Sequence, residues 1–279
     1  MIYAAAAARR RPGIALALAG LEVAILANAV IQHDLGRALL YLAVIAMSVV
    51  LIDVTLARWP VSTRHVPVRN AGGEAVFLIV SFALGLFWLT GRFVWNLRPD
   101  PGLLRLLWLA ILMGCVFNAL PAIVLLARRY RLTDLGLRIT GLQAVPLVMA
   151  TFAAATFALS PASITWRGAI EETGSIVALI GTALLAAVPE EFFRFVWQTR
   201  VGAWLKDPAV GWLMASACWA LLHGPKDWDE SHSLPVTLMG VVNIVPLGLL
   251  WGYLTHRTGS MLPAIALHAT NLWGLQNLS

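Results

Sequence analysis

The sequence predicts an all-α integral membrane protein, a polytopic bundle of eight or nine transmembrane helices. Composition is the first observation behind this. Of 279 residues, 59% are hydrophobic and only 12% charged, and the mean hydropathy is +0.79. A soluble domain is about a quarter charged, so half that fraction cannot coat a globule facing water. A soluble enzyme, a disordered chain and a secreted disulfide scaffold are all excluded. The second observation is recurrence: apolar runs near the length that crosses a bilayer, about 20 residues, follow one another along the chain. They fall at 13–32, 38–57, 75–95, 103–127, 144–160, 175–198, 209–223, 235–255 and 260–276. These are continuous blocks rather than ten-residue alternating segments, which excludes a β-barrel.

The first run follows Arg9, Arg10 and Arg11. It is too long for the apolar core of a signal peptide and no cleavage site follows it, so it is read as the first helix. The next three runs complete an N-terminal group, residues 1–127, to which the sequence assigns no role. A polar interruption at 127–141 (ARRYRLTDLGLRITG) separates it from residues 128–279, where the chemistry lies. No internal repeat is visible, which argues against a transporter built from inverted halves.

Positive charge orients the bundle. With the N-terminus inside and nine alternating helices, the inner connectors hold Arg9, Arg10, Arg11, Arg58, Arg64, Arg69, Arg128, Arg129, Arg131, Arg138, Arg200, Lys206 and Arg257. The outer side holds Arg37, Arg92, Arg98, Arg105, Arg167 and Lys226. That imbalance fits the positive-inside rule with a cytoplasmic N-terminus. The net charge of +6 is therefore a topology signal, and no nucleic-acid partner is expected; the bilayer is the expected surrounding. Cys115 and Cys218 lie far apart in apolar runs and form neither a disulfide framework nor a metal motif.

Ionisable groups within apolar helices are expensive and need a reason. Glu22 and Asp53 are read as structural, paired with an Arg or a backbone donor or wetted at a helix end. Asn28, Asn118 and Asn243 are read as hydrogen-bonding glue between helices. His33, His65, His232 and His256 lie in connectors and receive no role. The run 175–198 is different, because it carries Glu190, Glu191 and Arg194. Arg194 is four residues from one carboxylate and three from the other, so it neighbours both on a helix surface. The remaining carboxylate is suited to act as a general base. His223 closes the run 209–223, and His268 lies in the last run with Asn271 three residues on, so that both can face one cavity. A Glu with a His activates water, and a His with an Asn holds the oxyanion that forms on a peptide carbonyl. A divalent metal such as zinc, held by Glu190, His223 and His268, is the other chemistry open to these residue types.

The order of these elements resembles the CPBP family, the CAAX proteases and bacteriocin-processing enzymes also called Abi proteins or type II CAAX prenyl endopeptidases. That family carries EExxxR, then FxxxH, then a late His followed by Asn or Asp. Here these correspond to Glu190-Glu191-Phe192-Phe193-Arg194, to Trp219-Ala220-Leu221-Leu222-His223 with Trp in place of Phe, and to His268 with Asn271. Asp134-Leu135-Gly136-Leu137-Arg138 resembles the family's lead-in, and the likeness covers about residues 130–275. Two departures stand out. Arg194 lies one residue closer to the first Glu than in the family, which favours Glu190 over Glu191 as the base. The family's Asn or Asp lies four residues after its His, where this chain has Leu272.

The resemblance implies a multi-pass intramembrane endopeptidase acting on a membrane-embedded or lipidated peptide or protein. In the eukaryotic branch the substrate is the tripeptide after a prenylated cysteine. Abundant Ala and Arg with two lysines point to a GC-rich bacterium and its inner membrane, where such substrates are not expected. The competing classes are a catalytically silent scaffold or bacteriocin-immunity protein and, less favoured, a proton-coupled transporter. By residue count at 1.5 Å per residue, Glu190 and His268 lie at similar depth, about 12 Å from the inner end of their runs. His223 comes out nearer 20 Å. The expectation is nonetheless that all three converge on one cavity; side chains of Glu190 and His223 separated by more than about two water-bridged hydrogen bonds contradict it.

Overall fold

In the computed structural model, the described residues are 9–62, 66–95, 119–159 and 176–271. They form helices α1 (Pro12–Ile31), α2 (Leu35–Arg58), α3 (Ala71–Phe93), α4 (Leu120–Ala127), α5 (Val145–Leu159), α6 (Ile176–Trp204), α7 (Pro208–Leu221), α8 (Gly224–Ser231), α9 (Leu234–Thr258) and α10 (Leu262–Asn271), with no strand among the described residues. Four of them, α1, α2, α3 and α9, are long and apolar enough to cross a bilayer. The higher number expected from the sequence draws on shorter or more polar helices and on residues 96–118, which lie outside the described residues. Large apolar side chains such as Leu16, Val23, Val54, Phe87 and Ile123 point outward. Exposed apolar area on that scale suits hydrocarbon rather than water, and the chain is a membrane protein.

Helix ends gather on one face of the bundle. The start of α1 meets the start of α7 through the Arg11–Asp207 ion pair. Arg69, just before α3, donates to the carbonyls of Arg128 and Arg129 after α4. Gln143, before α5, donates to the carbonyl of Trp59 after α2. Arg58 and Lys206 adjoin Trp59 and Asp207 in the chain, so with Arg11, Arg69, Arg128 and Arg129 they belong to this end of the molecule.

One boundary differs from the sequence expectation in a way that matters for the site. The run expected to end at residue 198 continues as α6 to Trp204. Arg200 looked like a connector charge but is fully buried, its Nε 3.5 Å from Glu74 of α3. Tyr130 donates to the other oxygen of Glu74 and accepts from the backbone N–H of Arg69. Burial, reinforced by the hydrogen bond to Glu74, pushes the Tyr130 phenol above its ordinary pKa. With α6 extended, Glu190 stands fourteen residues from its helix end and His223 fifteen past Pro208, so both lie at about 21–23 Å. The depth mismatch expected between His223 and Glu190 disappears. By the same count His268, six residues into α10, lies at about 9 Å, so α10 must begin deeper than the ends of α6 and α7, since His268 contacts Glu190.

Small residues and tryptophans set how closely α6, α7 and α9 approach. A side chain at Gly211 of α7 would collide with the backbone of Gly202 and Gln198 on α6. On α9, Gly248 and Gly252 lie one turn apart and receive the rings of Trp219 and Trp212. Trp212 adds a hydrogen bond to the carbonyl of Leu249. Close backbone approach of this kind is how helices associate where hydrocarbon supplies no hydrophobic drive.

The N-terminal helices are tied to the rest by buried polar contacts. Asp53 of α2, 4% exposed, pairs with Arg257 and accepts from Tyr253, both on α9. The structural reading of Asp53 therefore has its Arg. Tyr41 donates to the backbone carbonyl of Asn243, so at that position the main chain supplies the glue expected of the side chain. Glu22 faces outward from α1, and Asn118 lies outside the described residues.

The polar segment after α4 straps the connector between α9 and α10. Asp134 accepts from the backbone of Arg131, and Gly136 takes a left-handed φ of 87°. The carbonyl of Gly136 then receives the N–H of Met261, and Ser260 donates to the carbonyl of Arg138. This fixes where α10 begins and hence where His268 points. Gly136 also abuts the ring of Phe195, which a Cβ would approach to 2.8 Å. Gly136→Ala is expected to destabilise the fold by roughly 1–3 kcal/mol, the usual cost of a strained left-handed residue. Gly20→Ala, with open space around it, is expected to leave the melting temperature in detergent unchanged.

Candidate active site

The site forms where α6, α7, α9 and α10 meet. Pro189 sits inside α6 just before the carboxylates. Its missing N–H frees a carbonyl one turn earlier and loosens the helix there. Glu190 and Glu191 are adjacent and so point in different directions, and their surroundings differ sharply.

Glu191 faces inward and is 1% exposed. It pairs with Arg194, equally buried, and lies 2.8 Å from His268 Nδ1. Arg194 reaches His268 Nδ1 at 3.3 Å and donates to the carbonyl of Gly248 at 3.2 Å. An ionised carboxylate only accepts and a guanidinium only donates. Nδ1 cannot serve both, so Nδ1–H of His268 donates to the nearer Glu191 and the Arg194 contact is not a hydrogen bond. Nε2 is left as an acceptor, and the oxyanion donor expected of His268 is therefore absent in this tautomer. That Nε2 lies 3.6 Å from Glu190 Oε2. Trp251, wholly buried, stacks parallel to the His268 ring at 6.1 Å and fixes its plane.

Glu190 is the accessible carboxylate, with 31% of its side chain exposed. Its Oε2 accepts the indole N–H of Trp219 at 2.6 Å. The Trp219 ring lies under the Arg194 guanidinium at 4.7 Å and meets His223 edge-on at 4.9 Å. His223 lies within electrostatic reach of Glu190 and holds its own Nδ1 3.1 Å from the carbonyl of Trp219. Since a carbonyl only accepts, Nδ1 of His223 carries the proton and Nε2 is free. Partial burial raises the pKa of Asp227, one turn further on, above the ordinary carboxylate value.

Of the sequence-derived residues, Glu190, Glu191, Arg194 and His268 are thus in direct contact, and His223 joins them through Trp219. The Asn271 side chain lies outside the described residues. Two contributors escaped the sequence reading. Trp219 looked like a conservative aromatic replacement, although indole, unlike Phe, carries a donor. Gly248 lies in the stretch Gly248-Leu249-Leu250-Trp251-Gly252-Tyr253, which resembles the family's approach to its late His, but nothing in the sequence marked it as the seat of a ring.

The metal alternative fits less well. Among the described residues no group of three His, Cys, Asp or Glu side chains comes together in a metal-holding arrangement. Glu190 Oε2, which would be one donor, is already engaged by an indole N–H. The Glu191–Arg194 pair makes its own test. Arg194→Ala leaves a buried carboxylate without its cation and is expected to cost about 3–5 kcal/mol. Glu191→Gln combined with Arg194→Met removes both charges and is expected to recover most of that loss in a thermal unfolding assay.

No curated protein and no solved structure matches the chain. A family model does, over residues 172–273, the span that holds every residue of this site. Those residues match the family described as Type II CAAX prenyl endopeptidase Rce1-like, which makes the second half of this membrane protein similar to the CAAX-type intramembrane proteases.

Proposed function

We propose that the protein is an intramembrane endopeptidase that cleaves a membrane-embedded or lipidated peptide with water activated by Glu190. The observation that carries this reading is the division of labour between the carboxylates. Glu191 is closed off by Arg194 and His268, whereas Glu190 is partly exposed beside two histidines that each turn Nε2 away from an anchored Nδ1.

Water lying between Glu190 and His223 loses a proton to the carboxylate as its oxygen attacks the peptide carbonyl. With its Nδ1–H held by Glu191, His268 turns an accepting Nε2 toward Glu190, and Asn271 is the donor to the oxyanion. Protonated Glu190 then delivers its proton to the leaving amine. Arg194 balances Glu191, so that the carboxylate behind His268 stays ionised in an apolar interior.

By the positive-inside rule, the face that gathers the arginines is the cytoplasmic one. The N-terminus lies on that side, in a multi-pass protein of a bacterial inner membrane. Residues 1–127 serve as a scaffold bonded to the catalytic half through Asp53, Glu74 and Tyr41.

Purified protein in liposomes, offered membrane-spanning peptides with and without a lipidated cysteine, is expected to cleave at least one of them. Glu190→Gln is expected to reduce hydrolysis by at least 10²-fold, the lower end of general-base contributions. Asn271→Ala is expected to lose about 10²–10³-fold, the worth of one oxyanion donor. Full activity in Glu190→Gln contradicts the assignment of the base.

A further inference from the structure

Trp219 meets four residues of the site, Glu190, Arg194, His223 and His268. Its indole N–H donates to Glu190 Oε2 at 2.6 Å. One face of the ring carries the Arg194 guanidinium at 4.7 Å. His223 meets the ring at 68° and His268 at 89°, with centroids 4.9 and 6.0 Å away. Its own carbonyl holds Nδ1 of His223.

The ring has no freedom to leave this position. It is 4% exposed, and a Cβ at Gly248 would stand 2.8 Å from its Cε3. Only a glycine on α9 leaves room for it. Arg194 in turn is tethered to the carbonyl of that glycine, which closes the seat from the other side.

We infer that Trp219 is a positioning residue for the proposed hydrolysis: its indole N–H fixes the Glu190 carboxylate, and its main chain fixes His223. The inference rests on the reading of Glu190 as the base. A glutamate on a helix has several staggered rotamers, and a partly exposed one samples them. The indole removes that freedom by engaging Oε2, leaving Oε1 to take the proton from water. The same residue sets the tautomer of His223, so the two groups that meet the water share one support. A phenylalanine would keep the platform for Arg194 and lose the donor.

The experiment replaces Trp219 with β-(3-benzothienyl)alanine, an indole isostere with sulfur in place of N–H, and separately with Phe. Steady-state kinetics use the peptide that the wild-type protein cleaves. Both variants are expected to lose about 10–10²-fold in kcat, the worth of a hydrogen bond to a charged group. KM is expected to stay within about twofold, because the substrate is not what the N–H touches. The isostere is also expected to keep the wild-type melting temperature. Unchanged kcat in the isostere overturns the inference, as does a rise in KM alone or a loss of kcat that tracks a fall in melting temperature.

A second readout needs no turnover. The indole N–H resonance of Trp219, assigned in ¹⁵N-tryptophan-labelled protein by its disappearance in Trp219→Phe, is expected to shift in Glu190→Gln. A resonance indifferent to Glu190→Gln overturns the inference even if the protein is a protease. If the wild-type protein cleaves none of the peptides but the resonance does shift, the protease reading falls while the Trp219–Glu190 bond stands.

Discussion

The structure depends on one constraint: a charge taken out of water into an apolar bundle must arrive with its partners. Glu191 satisfies it with Arg194 on its own helix and His268 on α10. Arg194 satisfies it with Glu191, the carbonyl of Gly248 and the face of Trp219. The cluster therefore reaches α6, α7, α9 and α10 at once, and those helices cannot shift independently without exposing a buried charge to hydrocarbon. That closure is what leaves Glu190 available. A second carboxylate one residue along the helix necessarily points elsewhere, toward the open side, where a base is useful.

The same logic repeats away from the site. Arg200 meets Glu74, and Arg257 meets Asp53 with Tyr253 as a third member. Each pair links an N-terminal helix to α6 or α9. The N-terminal group thus supplies partners for charges buried in α6 and α9, whatever else it does. Glycines do the complementary work. Gly202 with Gly211, and Gly248 with Trp219, let backbones or rings approach where neither charge nor hydrophobic drive would bring them together.

The membrane class and most helices were legible in the sequence because hydrocarbon imposes a crude and strong filter on composition. The charged site residues were legible for the same reason, since Glu190, Glu191, Arg194 and His268 are costly where they stand. Less legible was anything expressed through a partner. Arg200 looked like a connector charge because Glu74, its counter-ion, lies on α3, over a hundred residues earlier. Trp219 looked like a plain replacement of the motif's Phe, because only its neighbour Glu190 reveals what its N–H does. The segment Asp134-Leu135-Gly136-Leu137-Arg138 was visible as a resemblance, but its role became clear only from its bonds to Met261 and Ser260, which set the start of α10.

The central claim is that Glu190 is the accessible carboxylate of the site and Glu191 the closed one. Dicyclohexylcarbodiimide, an apolar reagent that modifies carboxyl groups within membranes, distinguishes them by mass spectrometry of the labelled protein. The account predicts an adduct on Glu190, with Glu22 on the outer face of α1 as an accessible reference, and no adduct on Glu191 while Arg194 is present. Labelling of Glu191 in the wild-type protein, with Glu190 untouched, would contradict it.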